Sequence, residues 1–173
     1  HMLKIMRNIK IAIGLLLFFI VQAKAQDNKM YDTKAEYIAP QEATDISPLL
    51  VGEKIPTSIL LPNLRGEVVD LNKLVAEKPT ILVFYRGGWC PYCSKQLSGL
   101  ADISDDLLRL GYQIIAISTD KPEGLMQSAQ KGGLHYTLLS DADVAVAKQF
   151  GIAFKAPKSY WEFLPETTGG KDI

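Results

Sequence analysis

Two uninterrupted runs of strand-forming residues, separated by a long helical pattern, constrain the fold of this chain more than any other feature. The first run is Thr80 to Tyr85 and the second is Tyr112 to Ser118. Runs without polar alternation are typical of strands covered on both faces of a sheet. Between them a helical pattern ends at Gly111, with an apolar stripe formed by Leu97, Leu100, Ile103, Leu107 and Leu110. A strand, a crossover helix and a second strand predict parallel neighbours in an α/β sheet.

Further elements on both sides extend this alternation. Upstream, β-rich pieces at Ser58 to Leu61 and Glu67 to Val69 flank a turn at Pro62 to Gly66, which predicts an N-terminal hairpin. Downstream, the pattern predicts three elements: a helix over Pro122 to Gly132, a strand at Thr137 to Leu139, and a helix over Ala142 to Phe150 capped by Asp141. The composition of the chain, with 47% hydrophobic and 22% charged residues, fits one compact domain.

The first 25 residues differ from the rest in charge and hydropathy. The whole chain has 19 Lys plus Arg and 19 Asp plus Glu, but residues 1–25 contain four basic residues and no acidic one. A basic start, an apolar stretch from Ile11 to Val21 and the sequence Ala23-Lys24-Ala25 are typical of a secretory signal peptide. We therefore expect residues 1–25, which include a short non-native start at His1-Met2, to direct secretion or periplasmic export. An uncleaved N-terminal anchor is the alternative.

The net charge of the chain without residues 1–25 indicates which partners it can bind. Removing its four basic residues leaves 15 basic against 19 acidic ones in residues 26–173, a net charge of −4. A nucleic-acid binder normally carries a basic excess, so we expect no nucleic-acid partner. Residues 26–48 are largely polar, contain Pro40 and Pro48 and show no sustained period. This stretch is predicted to be a mobile linker before a domain at residues 49–173.

The only two cysteines lie where the first strand meets the long helix, in Cys90-Pro91-Tyr92-Cys93. Cysteines at this spacing at a helix start lie about one turn apart, so the pair can close a disulfide with little backbone movement. Pro91 suits the first helical position, since its missing N–H would have no partner there. The helix dipole and the nearby Arg86 both favour a thiolate at the first cysteine. These features predict Cys90 as the nucleophile, Cys93 as the resolving cysteine and Arg86 as a thiolate-stabilising residue.

Other uses of the cysteine pair need comparison with this one. A closed zinc site needs further ligands, and His135 is the only histidine after the predicted signal peptide. We expect no cofactor and no metal, although two thiolates with His135 could bind Cu(I), which stays open as a non-enzymatic alternative. A purely structural disulfide is the weaker explanation, because a four-residue loop constrains the unfolded chain little. Trp89 is expected to form a wall of the site, and a plain core position is its alternative.

From Val51 to Phe154 several ordered pieces match one known pattern. They are Gly52-Glu53-Lys54-Ile55-Pro56, Phe84 to Cys93, Ile117-Ser118-Thr119-Asp120 with Pro122-Glu123, and Leu139-Ser140-Asp141 followed by Phe150-Gly151. In these pieces the chain resembles peroxiredoxin-like proteins of the alkyl hydroperoxide reductase and thiol-specific antioxidant (AhpC/TSA) family that carry a C-x-x-C. The resemblance implies a thioredoxin-like fold with a mixed central sheet flanked by helices. It also places Cys90 at the peroxidatic position and Cys93 at that of a thioredoxin-type second cysteine.

Two features differ from the usual pattern of that family. Val83 and Gly87 stand at the positions, seven and three residues before Cys90, where ordinary peroxiredoxins carry a proline and a threonine or serine. Thioredoxin-like folds also place a cis-proline strand and a further strand opposite the C-x-x-C. No β-rich run follows Pro157 or Pro165. We therefore expect the domain to lack its C-terminal strands because the chain is truncated.

The resemblance implies a hydroperoxide reductase with antioxidant activity that cycles between dithiol and disulfide at Cys90 and Cys93. An external dithiol donor, thioredoxin-like or a membrane reductase, would restore the thiols. A thioredoxin-like oxidoreductase acting on protein disulfides is the alternative, with Cys90 attacking the substrate disulfide and Cys93 resolving the mixed disulfide. A Cu(I)-binding, chaperone-like module is the second alternative.

Overall fold

The computed structural model describes residues 38–162 and 164–169, so the predicted signal peptide and residues 26–37 of the predicted linker lie outside it. The strands are β1 Leu60–Pro62, β2 Val68–Asp70, β3 Thr80–Phe84, β4 Gln113–Ser118 and β5 Thr137–Ser140. The helices are α1 Leu71–Glu77, α2 Pro91–Arg109, α3 Pro122–Gly132, α4 Ala145–Gln149 and α5 Lys158–Trp161. Within the described residues, none of the helices is long and apolar enough to span a membrane.

Strands β3, β4 and β5 form a parallel sheet in that order, with β4 in the centre. The register pairs Leu82 of β3 with Ile115 of β4, and Ile115 pairs on its other side with Thr137 of β5. Strands β1 and β2 form an antiparallel hairpin, and Asn63, directly after β1, bridges to Leu139 of β5. The predicted hairpin is confirmed. The predicted parallel α/β order is also confirmed, since a helix joins each pair of neighbouring parallel strands.

Strand β3 is less buried than its sequence predicts. All five of its residues are only partly buried, whereas five of the six residues of β4 are buried. Strand β4 has a neighbour on each edge, but within the described residues β3 has a neighbour on one edge only. The apolar run from Thr80 to Tyr85 therefore predicted a strand correctly, and both of its faces are covered, since Leu82 and Phe84 pack against one apolar cluster and Val83 packs against the other. The open edge accounts for the partial burial of its residues. The more completely buried strand is the second run, at β4.

The buried face of helix α2 coincides only in part with the predicted leucine stripe, of which Leu97 is buried, Leu100 and Leu107 are partly buried and Ile103 is exposed. Leu97 and Ser104 are its buried residues, and Cys93 and Ala101 pack partly buried against the same cluster as Leu97. These four positions follow one another at intervals of three or four residues, which places them on one helix face. Leu110 of the predicted stripe is instead 73% exposed. The stripe was therefore right at Leu97 and wrong at its exposed members, because apolar residues occur on more than one face of this helix.

Two apolar clusters surround the parallel sheet. Strand β4 contributes to both, with Ile115 and Ile117 in the first cluster and Ala116 in the second, because successive side chains of a strand point to opposite faces. The first cluster also contains buried residues of the hairpin, α1, β5 and α4: Ile59, Leu61, Leu71, Leu139, Val146 and Phe150. The second joins α2, α3 and β5 through Tyr85, Leu97, Leu125, Leu134 and Leu138. This second cluster fixes the two helices that border the cysteine loop.

The helix after β5 begins later than its sequence predicts. It starts at Ala145 rather than Ala142, because Val144 adopts a left-handed backbone with φ +60° that cannot continue a helix upstream. Asp141 nevertheless caps it, as predicted, since the N–H groups of Val146 and Ala147 donate to its carboxylate at 2.9 and 2.8 Å.

The sequence pattern did not predict two short helices, α1 and α5. Helix α1 is capped by Asp70, whose carboxylate accepts the N–H of Lys73 at 3.1 Å. Helix α5 is a single turn at Lys158–Trp161. Both are too short for an apolar period to stand out in the sequence.

The described part of the predicted linker contacts the domain through its backbone. The N–H of Ser47 donates to the carbonyl of Gly151 at 3.1 Å, and the N–H of Lys155 donates to the carbonyl of Pro40 at 2.8 Å. Residues 38–48 are therefore hydrogen-bonded to the domain at Pro40 and Ser47. The composition of the segment, from which a mobile linker was predicted, does not indicate these bonds.

Candidate active site

The loop from Tyr85 to Cys90 joins β3 to α2 and carries the cysteine pair. The backbone N–H of Tyr85 donates to the carbonyl of Ile117 at 3.0 Å, so the loop leaves the sheet beside the end of β4. Cys90 is the N-terminal cap residue of α2, and its carbonyl accepts the N–H of Ser94 at 3.0 Å. The helix start predicted at Pro91 is confirmed, because proline fits a first helical position that needs no N–H donor.

Two glycines let this loop approach its neighbours closely. Gly87 has a φ of +142°, and a Cβ atom there would collide with the indole ring of Trp89. A Cβ atom on Gly88 would collide with the hydroxyl of Ser128 in α3. With this backbone, a threonine or serine three residues before Cys90 has no room, which gives a physical reason for the glycine that the sequence carries there.

Asp120, the second residue after β4, holds the loop from the other side. It is 2% exposed, and its carboxylate accepts the N–H of Gly88 at 2.7 Å and the hydroxyl of Thr168 at 3.4 Å. Burial raises the pKa of Asp120, and these hydrogen bonds offset only part of that rise. Sequence reasoning gave Asp120 no role. The available signal was its place just past a buried parallel strand, where sites form in α/β sheets.

The two cysteines are both free thiols, but their environments differ. Burial opposes ionisation of Cys90, which is 2% exposed. Its pKa is nevertheless lowered, because the Cys93 thiol and backbone N–H donate to its sulfur, Arg86 adds positive charge nearby and the Tyr92 N–H also donates. For Cys93, burial and the neighbouring Cys90 raise the pKa. The pair is therefore asymmetric, with a thiolate-forming sulfur at Cys90 and a proton-bearing thiol at Cys93.

Arg86 and Trp89 lie with the cysteines, as the sequence predicts. The Cζ atom of Arg86 is 4.7 Å from the centroid of the Trp89 ring. It is also 4.7 Å from the ring centroid of Tyr160 in α5, a contact that the sequence did not indicate. Such distances fall within the range of cation–π attraction. The structure therefore brings all four predicted site residues together and adds Asp120, Ser128 and Tyr160 around them.

His135 lies away from this site. Its Nε2 is 2.5 Å from the hydroxyl of Ser104, and its Nδ1 is 3.1 Å from the carbonyl of Gly133. Ser104 follows Cys93 by eleven residues within α2, which is roughly 16 Å along a helix axis. The histidine that the copper alternative requires is thus not beside the thiols. No group of three or more metal-binding side chains occurs in the part of the chain that is described.

A thiol pair at the start of a helix, on a parallel sheet with a flanking hairpin, defines a thioredoxin-like redox site. The family model of the AhpC/TSA family matches residues 51–168, more than half of the chain. The chain belongs to the AhpC/TSA family and is a peroxiredoxin, an oxidoreductase of the thiol peroxidase type, similar to the Bcp and Q groups.

Relatives and solved structures agree with this assignment. The chain is 39% identical over 107 residues to Peroxiredoxin Bcp of Escherichia coli strain K12, a match that covers 62% of this chain and 67% of that protein. It is 31% identical to the chloroplastic Peroxiredoxin Q of Populus jackii, over 56% of this chain and 45% of that one. The crystal structure of Peroxidoxin BcpB from Mycobacterium tuberculosis superposes with a TM-score of 0.55 at 30% identity, covering 58% of this chain and 64% of that one. The chain thus spans slightly less than two thirds of that structure.

Proposed function

We propose that this protein reduces hydroperoxides through a dithiol–disulfide cycle at Cys90 and Cys93. The observation that carries the proposal is the asymmetry of the pair, in which the pKa of the buried Cys90 is lowered and that of Cys93 is raised. The attacking sulfur must be a thiolate, while the resolving thiol keeps its proton until a second step needs it.

The cycle balances with these two sulfurs and an external reductant. The Cys90 thiolate attacks one oxygen of the hydroperoxide and breaks the O–O bond, which forms a sulfenic acid and releases an alkoxide that takes up a proton to become an alcohol. The Cys93 sulfur then attacks the Cys90 sulfur, which forms the disulfide and releases water. Arg86 stabilises the initial thiolate, and Trp89 forms a wall beside it.

The burial of the Cys90 sulfur favours a small substrate. Cys90 is 2% exposed, and Trp89 adjoins it in sequence and packs against Gly87 in the same loop. A hydroperoxide can reach such a sulfur with a smaller rearrangement than a disulfide held in a folded protein. Exchange with protein disulfides is therefore the second candidate, and it predicts catalysis of insulin reduction by dithiothreitol.

The oxidised pair needs an electron donor from outside the chain. Cys90 and Cys93 are the only cysteines in the sequence, so no further thiol of this chain can reduce their disulfide. We propose a dithiol protein, thioredoxin-like or membrane-bound, as the reductant. In an exported protein this donor must act outside the cytoplasm, where glutathione does not keep thiols reduced.

Export and completion of the sheet are proposals of the same kind. The basic start and the apolar stretch from Ile11 to Val21 support secretion or periplasmic export, and a mature N-terminus at Gln26 is the expected result of peptide sequencing. The outer edge of β3, which has no strand partner among the described residues, supports further strands beside the site. A reading frame that continues past Ile173 into β-rich sequence would supply them.

Stopped-flow tryptophan fluorescence with hydrogen peroxide tests the peroxidase cycle. Trp89 adjoins the reacting thiol, so we expect a rapid change that is second order in the wild type and absent in Cys90→Ser. Cys93→Ser should keep the first phase and lose the second, because its sulfenic acid cannot form the disulfide. Trp161→Phe is the control for the other tryptophan of the chain. A rate no faster than that of free cysteine would exclude the peroxidase function.

A further inference from the structure

Arg86 contacts aromatic rings from two distant parts of the chain. Trp89 belongs to the same loop as Arg86, but Tyr160 comes from α5, near the end of the described residues. Both ring centroids lie 4.7 Å from the guanidinium carbon. Arginine stacks favourably on aromatic faces because its planar cation is attracted by the ring quadrupole.

Within the described part of the chain, no carboxylate forms an ion pair with the Arg86 guanidinium. The ion pairs found among residues 38–162 and 164–169 involve Lys73, Arg109 and His135, and none includes Arg86. The positive charge of Arg86 therefore acts on the nearby sulfurs of Cys90 and Cys93, where it favours the thiolate form. A long, exposed side chain without such ring contacts would sample many rotamers and spend much of its time in water.

Tyr160 is suited to restrain Arg86 without being needed for folding. Its side chain is 41% exposed, and it lies in a helix of four residues with no buried member. Its structural contribution to the core is therefore small, and substitutions at exposed positions of this kind usually change stability little. The contact that distinguishes it from other surface tyrosines is the one with Arg86.

We propose that Tyr160 is a positioning residue for the redox site, which together with Trp89 holds the Arg86 guanidinium beside the cysteine pair. The proposal rests on the role of Cys90 as the reacting thiol. Tyr160 acts only through Arg86, because its ring contacts the guanidinium rather than a sulfur. Removing the ring should leave the fold intact and weaken the influence of Arg86 on Cys90.

The pH dependence of alkylation by iodoacetamide tests this without any peroxidase assay. All proteins carry Cys93→Ser, so that a single thiol titrates. We expect Tyr160→Leu to lower the alkylation rate below the pKa of Cys90 by about threefold and to move the profile to higher pH. Tyr160→Phe should keep the wild-type profile, since the ring is retained. Tyr112→Leu is a matched control, because Tyr112 is 43% exposed and follows the far end of α2.

A double-mutant cycle with Arg86→Met decides whether Tyr160 acts through Arg86. We expect Tyr160→Leu to have no further effect on the profile when Arg86→Met is present. An equal effect in both backgrounds, or a Tyr160→Phe profile as altered as that of Tyr160→Leu, would overturn the proposal. If Tyr160→Leu fails to fold by circular dichroism, Tyr160→Gln provides the same test. Because alkylation requires no peroxide, a failure of the peroxidase function leaves this result interpretable.

Discussion

The carboxyl ends of strands β4 and β5 lie side by side, and each is followed by a buried aspartate with a different task. Asp120 and Asp141 are both 2% exposed. Both carboxylate oxygens of Asp141 accept hydrogen bonds from the helix that follows it, one from the N–H of Val146 and one from the N–H of Ala147. Asp120 instead accepts the N–H of Gly88, in the loop that carries the cysteines.

The difference teaches that position in a sheet does not by itself assign a role to a buried carboxylate. The partners of Asp141 are five and six residues away, so its bonds stabilise a local helix start. The partners of Asp120 at Gly88 and Thr168 are 32 and 48 residues away, so its bonds join separate parts of the fold at the redox site. We therefore expect substitutions of the two residues to separate stability from reactivity.

The largest effect should follow from Asp141→Ala, measured by urea denaturation at pH 7. The substitution leaves the N–H groups of Val146 and Ala147 without acceptors, and we expect a loss of about 3 kcal/mol in the free energy of unfolding. Asp143→Ala is the matched control, since Asp143 accepts the N–H of Ala145 in an exposed bond and should cost about 1 kcal/mol or less. Equal losses in both variants would contradict the buried-cap role of Asp141.

The sequence predicts contacts between residues that are near each other in the chain better than contacts between residues that are far apart. The helix start at Pro91 and the cap at Asp141 were predictable because their partners lie within six residues. The Asp120–Gly88 bond was not, since only the folded sheet brings residues 32 apart in sequence together. The contact between Arg86 and Tyr160 was unpredictable for the same reason.

The burial of individual elements was the other point at which sequence prediction failed. The run Thr80 to Tyr85 is as apolar as that of β4, yet β3 lies at the edge of the described sheet and is only partly buried. In α2, Leu97 was correctly placed in the core, while Leu110 is exposed and polar Ser104 is buried. Apolar pattern predicts the type of an element, whereas its neighbours decide which side is covered.

A smaller effect is expected in the pH dependence of stability. Burial raises the pKa of Asp141 from its ordinary value of 3.8 to about 6, with Asp143 adding to the rise. Between these values the folded state holds a proton that the unfolded state has released, so stability should fall as pH rises from about 4 to about 6. Asp141→Asn should flatten this slope in urea titrations. No difference between the two proteins across that window would show that Asp141 titrates normally.

The smallest stability effect and the clearest change in reactivity should come from Asp120→Ala. Loss of one acceptor for Gly88 should cost about 1–2 kcal/mol, most of it as opening of the loop before Cys90. Loop opening should then raise the alkylation rate of Cys90 by about fivefold or more. Asp141→Ala, tested under folding conditions, should leave that rate unchanged. A larger rate change in Asp141→Ala than in Asp120→Ala would reverse the contrast between the two strand ends.

The most direct test of the proposed cycle is the intact mass of the reduced protein after one equivalent of hydrogen peroxide. We predict that the wild type loses two hydrogen atoms and yields a Cys90–Cys93 disulfide in peptide maps, whereas Cys93→Ser gains one oxygen atom on Cys90 that reacts with dimedone. Oxidation that appears first on Cys93, or a Cys90→Ser variant that consumes peroxide as fast as the wild type, would contradict the assignment of Cys90 as the reacting thiol.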